Sequence, residues 1–253
     1  MTQTTLKVYV GYDSREDIAW QVCRHSLARH ASEPVQIYPL KQPNLRELGL
    51  YTRPSDVTAS TEFSLTRFLT PYLADSPGWT LFVDCDFLFT EDVCGLINSL
   101  DKGKAVYVVQ HDYDPRHMIK MDGKAQTVYP RKNWSSFILF NGAHPDVQAL
   151  TPSIVDSREP AFLHRLQWIK DTEHIGRLDR SWNFLVGEYA VGEKKPAAIH
   201  YTNGGPWFAE WQTVDYADEW RHERALYEKS LLQPGLDDAG QGHQPLLASM
   251  ETK

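Results

Sequence analysis

Cysteine is scarce in this chain: Cys23, Cys85 and Cys94 are scattered through 253 residues, with no CxxC pair. That spacing excludes a disulfide framework and a thiolate zinc site, and it fits a reducing, cytoplasmic setting. No apolar run approaches the roughly 20 residues a membrane-spanning helix needs. Met1 is followed by polar residues and then a strand pattern, not by a basic and apolar leader. The expectation is a soluble protein without a transmembrane segment, able at most to touch a membrane surface. Positive charge is also short. A net charge of -7 leaves no surplus for a general nucleic-acid binder, which gains affinity by neutralising phosphates. An anionic ligand would need a cation supplied locally.

What is present reads as an α/β protein. Leu6 to Val10 forms a first strand, and Gly11-Tyr12-Asp13 turns the chain at its end. Ser14 and Asp17 match a capping box, Glu16 and Asp17 suit the positive end of a helix, and Ile18, Ala19, Val22, Cys23 and Leu27 share one face. Val35 to Tyr38 is a second strand. Strand, helix and strand within about 35 residues imply parallel pairing, with ligands at the carboxyl ends of the strands. That places Tyr12 and Asp13 on the functional rim. No GxGxxG follows the first strand, which counts against a dinucleotide site.

Further along, residues 41–60 read as a long loop, residues 61–74 as a helix with Leu65, Phe68, Leu69, Tyr72 and Leu73 inward, and residues 160–170 as an amphipathic helix. Arg67 lies off the first of these stripes, where a solvated surface position is an ordinary outcome. Residues 116–132 form a basic loop, either solvated or a lid. Residues 215–232 read as a C-terminal amphipathic helix. The domain expectation is one unit over residues 1–232, followed by a flexible, disordered tail over residues 233–253.

The stretch that organises the rest is Trp79 to Phe89, WTLFVDCDFLF. A buried strand, Leu81-Phe82-Val83, runs into Asp84 and Asp86. On an extended strand residues i and i+2 share a face, so the two carboxylates converge. Close, buried carboxylates repel, and a divalent cation removes the conflict. The plain alternative is a polar strand end. A rival pair, Asp112 and Asp114, also follows a strand, but Asp114 precedes Pro115 and looks like a turn. His200 sits at another strand end, as a structural histidine or a metal ligand. Gly204-Gly205 after it is a turn or a close approach for a phosphate.

Taken together, strand-Tyr12-Asp13-helix, Ser64-x-x-Arg67 with Pro71, Asp84-Cys85-Asp86, and His200 with Gly204, Gly205 and Pro206-Trp207 resemble a GT-A-fold glycosyltransferase of the family 8 type, across most of residues 6–208. The resemblance implies a mostly parallel central sheet flanked by helices. It also implies Mn²⁺ (or Mg²⁺) bound by Asp84, Asp86 and His200, bridging the diphosphate of a nucleotide-sugar donor, UDP-linked above all. Tyr12 and Asp13 would hold base and ribose, Arg67 would lie near the donor, and the acceptor would be a glycan or glycolipid. The anomeric configuration would be retained. Departures fall at the sugar end: Trp134-Ser135-Ser136 replaces the usual Asn-Ser/Ala-Gly, and Leu178-Asp179-Arg180 replaces Asp-Gln-Asp. Asp179 is a candidate for orienting the donor sugar, or else a helix cap over residues 181–188. Other readings are a nucleotidyltransferase or nucleotide-sugar hydrolase, which also use paired aspartates, and a non-catalytic sugar-nucleotide or glycan-binding module.

Overall fold

A computed structural model describes residues 5–54, 60–112 and 131–232. The basic loop apart from Arg131 and Lys132, Asp114 and the C-terminal tail lie outside these residues. β1 (Leu6–Gly11) leads through a 3-10 turn, Ser14–Glu16, into α1 (Asp17–His30) and β2 (Val35–Leu40). Then come α2 (Gln42–Glu47), α3 (Thr70–Ala74), β3 (Trp79–Val83), β4 (Phe87–Phe89), α4 (Val93–Ile97), β5 (Val106–Val109) and β6 (Phe137–Asn141). The chain continues with α5 (Pro145–Gln148), α6 (Pro152–Ser157), α7 (Pro160–His164), β7 (Ile175–Leu178), β8 (Phe184–Leu185), β9 (Ala198–His200) and α8 (Ala217–Leu231).

Two sheets result. The larger has the order β2-β1-β3-β6-β5-β7 and is parallel except for β6, which runs antiparallel to both neighbours. Its central strands are apolar on both faces; Leu81, Phe82 and Val83 are fully buried, as a sheet covered on both sides requires. The smaller sheet, β4-β9-β8, pairs Phe87 with His200 in antiparallel register. A second apolar cluster of Val22, Leu88, Val186, Ile199, Tyr201 and Trp220 joins this sheet to α1 and α8. No described helix is long and apolar enough to cross a membrane.

The structure corrects the expected elements in four places. The loop over residues 41–60 contains α2, with Pro43 in its first turn, where a missing N–H costs nothing. Residues 61–74 are not one helix. Turns lead to a 3-10 segment, Thr66–Leu69, and then α3, with Pro71 in its first turn rather than its last; Tyr72 is left 43% exposed. The helix expected over residues 160–170 stops at His164. Leu166 takes a left-handed φ of 53°, and Gln167 N–H donates to Phe162 O, closing a Schellman-type end that apolar periodicity cannot reveal. The strand expected from Trp134 begins with a 3-10 turn, Trp134–Ser136.

The expected C-terminal helix is present and is fastened by charge as well as by Trp220. Buried Glu223 on α8 accepts from Arg29 Nη2 at 2.6 Å and meets His25 Nδ1 at 2.7 Å, both on α1. Burial alone would raise this carboxyl, but the hydrogen bonds from His25 and Arg29 outweigh it and hold it at about 2, against 4.5 when free. A depressed carboxyl stabilises the fold above its free value and loses that contribution as pH falls toward its folded value. Glu223→Gln is therefore expected to cost about 2 kcal/mol at pH 7. The gap from wild type should close between pH 4.5 and about 2 in urea titrations.

Candidate functional site

The site begins where β3 ends. The chain leaves the large sheet at Val83, turns through Asp84-Cys85-Asp86, and enters the small sheet at Phe87. The two aspartates converge because of this turn, not by strand alternation. Asp84 N–H donates to Ser136 O at 3.0 Å, and Cys85 is wholly buried beneath. Burial and the charges of Glu16, Asp86 and Asp84 push the Cys85 thiol up, so it stays protonated and serves as an anchor.

His200 reaches Asp86 through the small sheet. It pairs with Phe87, and the next rung is Tyr201 N–H to Asp86 O at 3.0 Å. The parallel sheet supplies Asp84; the antiparallel ladder supplies the histidine. The Phe87 ring lies on the imidazole at 4.3 Å and 17°, fixing its plane. The tautomer follows from the hydrogen bonds. Asn183 Nδ2 donates to Ser136 Oγ at 2.9 Å and to the Asn133 carbonyl at 3.3 Å, so its Oδ1 is the atom facing His200 Nδ1, at 2.8 Å. Nδ1 must then carry a proton, and the Nε2 lone pair of a neutral ring points at Asp86 Oδ1, 3.3 Å away. One ligand atom each from Asp84, Asp86 and His200 fits within 4.8 Å. Two carboxylates and one imidazole suit Mn²⁺ or Mg²⁺ better than a thiolate-seeking metal.

Arg67, an ordinary surface position by its stripe alone but near the donor by the resemblance, is 5% exposed and ion-paired to Asp84 Oδ1 at 2.8 Å. It donates to Ser64 O and Ser135 O and lies over Phe82. Behind it Ser135 Oγ meets half-buried His164 Nδ1 at 2.9 Å; loss of solvent, then the Arg67 charge, push this imidazole down to about 3, keeping it neutral. Glu16, read from sequence only as a helix-end charge, is also buried. Burial, then the charges of Asp86 and Asp13, raise its carboxyl, so four acidic side chains crowd one rim. His164, Asn183 and Glu16 were missed because each looks ordinary in its own segment. Glu16 stands between Arg15 and Asp17, a charged setting that gives no sign of burial.

The other predicted residues fall as follows. Asp13 is wholly buried, with its carboxylate accepting from Arg15 N, Nε and Nη2 and from Glu62 N–H. Burial opposes its ionisation, but these bonds and the Arg15 charge hold it below the usual range. The structure commits this carboxylate to shaping the rim loop. Tyr12 donates to Asp17 and has Lys41 Nζ 4.2 Å from its ring centre. Gly204 has φ 135° and donates its N–H to Tyr201 O; a Cβ there would strike the Trp211 indole at 2.7 Å, and one at Gly205 the Trp207 indole at 2.0 Å. The two glycines thus admit indoles as well as turning the chain. Asp179 is exposed and caps the 3-10 turn Arg180–Asn183, accepting from Ser181 N–H; the chain continues into β8, not a helix. Asp112 is exposed.

No protein-family model matches the chain. Among solved structures, the bifunctional glycosyltransferase WbbM aligns over 89% of this chain with a TM-score of 0.62 at 16% identity, and this chain spans half of WbbM's length. The galactosyltransferase LgtC, in complex with donor and acceptor sugar analogues, aligns over 87% of this chain and 95% of its own, with a TM-score of 0.55 at 12% identity. The fold is therefore the GT-A fold of glycosyltransferases. In sequence, Protein CDI of Arabidopsis thaliana is 51% identical over 227 residues, 88% of this chain and 87% of that protein. The chain belongs to the same family as Arabidopsis Protein CDI.

Proposed function

We propose that this chain is a divalent-metal-dependent glycosyltransferase that takes a sugar from a nucleotide diphosphate donor, UDP-linked above all, to a hydroxyl of a glycan or glycolipid. The observation that carries the reading is the convergence of Asp84, Asp86 and His200, one ligand atom from each within 4.8 Å of the others and His200 Nε2 3.3 Å from Asp86 Oδ1. A lone pair facing a carboxylate is repulsive unless a proton or a cation lies between them. The GT-A fold supports the reaction class, and LgtC, similar in fold, is a galactosyltransferase crystallised with donor and acceptor analogues.

In this reading Asp84, Asp86 and His200 hold Mn²⁺ or Mg²⁺. When bound, the ion supplies Lewis-acid stabilisation of the charge developing on the leaving diphosphate. Asn183 keeps the His200 proton on Nδ1, and Phe87 keeps the ring in plane. Arg67 fixes the Asp84 carboxylate and brings positive charge to the rim. Arg180, 4.7 Å from the Tyr189 ring centre, is a second cation on the sugar side. Tyr12, on the carboxyl rim of β1, supplies a wall for the nucleoside, and Asp13 holds that loop. Asp179 belongs to the donor-sugar end. The acceptor attacks on the donor's own face, giving retention.

A thermal-shift panel of nucleotides and nucleotide sugars tests this directly. Mn²⁺ with UDP or a UDP-sugar at about 100 times Kd is expected to raise Tm by roughly 5–10 °C, and Asp86→Ala should abolish that shift while remaining folded. A panel with no nucleotide response in Mn²⁺ would overturn the assignment; cleavage of the donor by water alone would move it to a hydrolase. A second expectation concerns the tautomer. Asn183→Ala should weaken Mn²⁺ binding by about 10–100-fold, measured by calorimetry, whereas Asn183→Asp, which still accepts from His200 Nδ1, should recover most of it.

A further inference from the structure

A second cluster with metal-binding geometry lies at the opposite edge of the large sheet. His144 precedes α5, Asp146 is in its first turn, and His174 ends a 3-10 turn, Thr172–His174, that leads into β7. Asn141, three residues before His144, pairs with Trp79, the first residue of β3, whereas Asp84 follows the last. A strand of this length, rising about 3.3 Å per residue, separates the two edges by about 17 Å. The cluster shares no residue with the donor site.

We propose that His144, Asp146 and His174 form a zinc-type metal site, independent of the proposed transferase site. Ligand atoms from all three fit within 4.8 Å. Asp146 is 4% exposed, and the imidazoles of His144 and His174 meet edge to face at 4.6 Å. The Nδ1 atom of His174 is buried and makes no hydrogen bond, although Asp146 Oδ2 lies 3.8 Å from it. That separation is too long for a hydrogen bond. It is close to the spacing of about 3.3–3.5 Å between ligands that each sit 2.0–2.2 Å from one tetrahedral zinc. The existing partners of Asp146 leave room for an ion. Oδ2 accepts from Lys170 N–H at 3.1 Å, and the Lys170 ammonium, on a side chain almost wholly in solvent, stands 3.8 Å from Oδ1.

His174 and Asp146 are thus the pre-set pair, and His144 is the adjustable third ligand. Its Nδ1 accepts from Asp146 N–H at 3.2 Å, so a neutral ring keeps its proton on Nε2. Binding through either nitrogen shifts that proton or releases the cap. Two imidazoles and one carboxylate favour Zn²⁺, Co²⁺, Ni²⁺ or Cu²⁺ over the oxygen-seeking Mg²⁺ and Mn²⁺. With three protein ligands the fourth position is left for water. The ion would tie α5 to the entry of β7, two segments otherwise joined here through Asp146.

The experiment uses the full chain carrying Asp86→Ala, so that the donor site does not take the metal. Zn²⁺ at about 100 times Kd should raise Tm by roughly 5–10 °C, Mg²⁺ at the same concentration should not, and Co²⁺ should give the intense visible bands of a tetrahedral site. Adding His174→Gln should remove both signals. His174 is half exposed, so the variant is expected to fold; circular dichroism confirms that. No zinc response in the Asp86→Ala chain, or a response that survives His174→Gln, would overturn the proposal.

Discussion

The structure depends on reconciling four buried or half-buried acidic side chains with one another at the carboxyl rim of β1 and β3. Asp13, Glu16, Asp84 and Asp86 surround a turn whose middle residue, Cys85, is sealed in the core. Each is relieved differently. Asp13 takes Arg15 and the Glu62 amide, Asp84 takes Arg67, and the Glu16 carboxyl is raised by burial and by the charges of Asp86 and Asp13. Asp86 faces a histidine whose proton is directed away from it. In the proposed reading a cation held by Asp84, Asp86 and His200 would relieve that pair. A purely structural histidine would more simply donate Nε2–H to the carboxylate, and Asn183 is built in a way that prevents it in the neutral ring.

The arrangement is also mechanically defined. The turn at Asp84-Cys85-Asp86 is where the chain changes sheets, so its geometry is held from both sides: by β3 and the Ser136 carbonyl, and by the β4–β9 ladder carrying His200. The same Trp134–Ser136 turn holds Arg67 through Ser135 O and Asn183 through Ser136 Oγ. One short turn therefore positions the cation beside Asp84 and the acceptor behind His200. In the proposed reading this turn preorganises the rim for a charged transition state.

Sequence alone carried β1, β2, β3, β5 and β6, the parallel start of the sheet and the carboxylate rim, because buried strands show as apolar runs and acidic residues interrupting them stand out; β7, broken by Gly176 and Arg177, shows no such run. It carried Asp84, Asp86 and His200 as a set only by resemblance; nothing local in Ala198-Ile199-His200 names a partner 114 residues upstream. The helices were harder. Residues 61–74 have a helical apolar stripe, yet Pro71 and the pull of Arg67 toward Asp84 break the segment into turns. Residues 160–170 end early because Leu166 adopts a left-handed backbone. Arg67, His164 and Asn183 take their roles from contacts 17 to 68 residues away, and no window on the sequence spans those pairs.

The central claim is that one divalent ion bridges His200 and a nucleotide diphosphate. Pulsed electron paramagnetic resonance of the Mn²⁺ complex with UDP reads both contacts at once. The account predicts nitrogen coupling from the His200 imidazole together with phosphorus coupling from the diphosphate in the same Mn²⁺ spectrum, the nitrogen signal vanishing in His200→Gln. Phosphorus coupling without nitrogen, or a nitrogen signal unchanged in that variant, would contradict it.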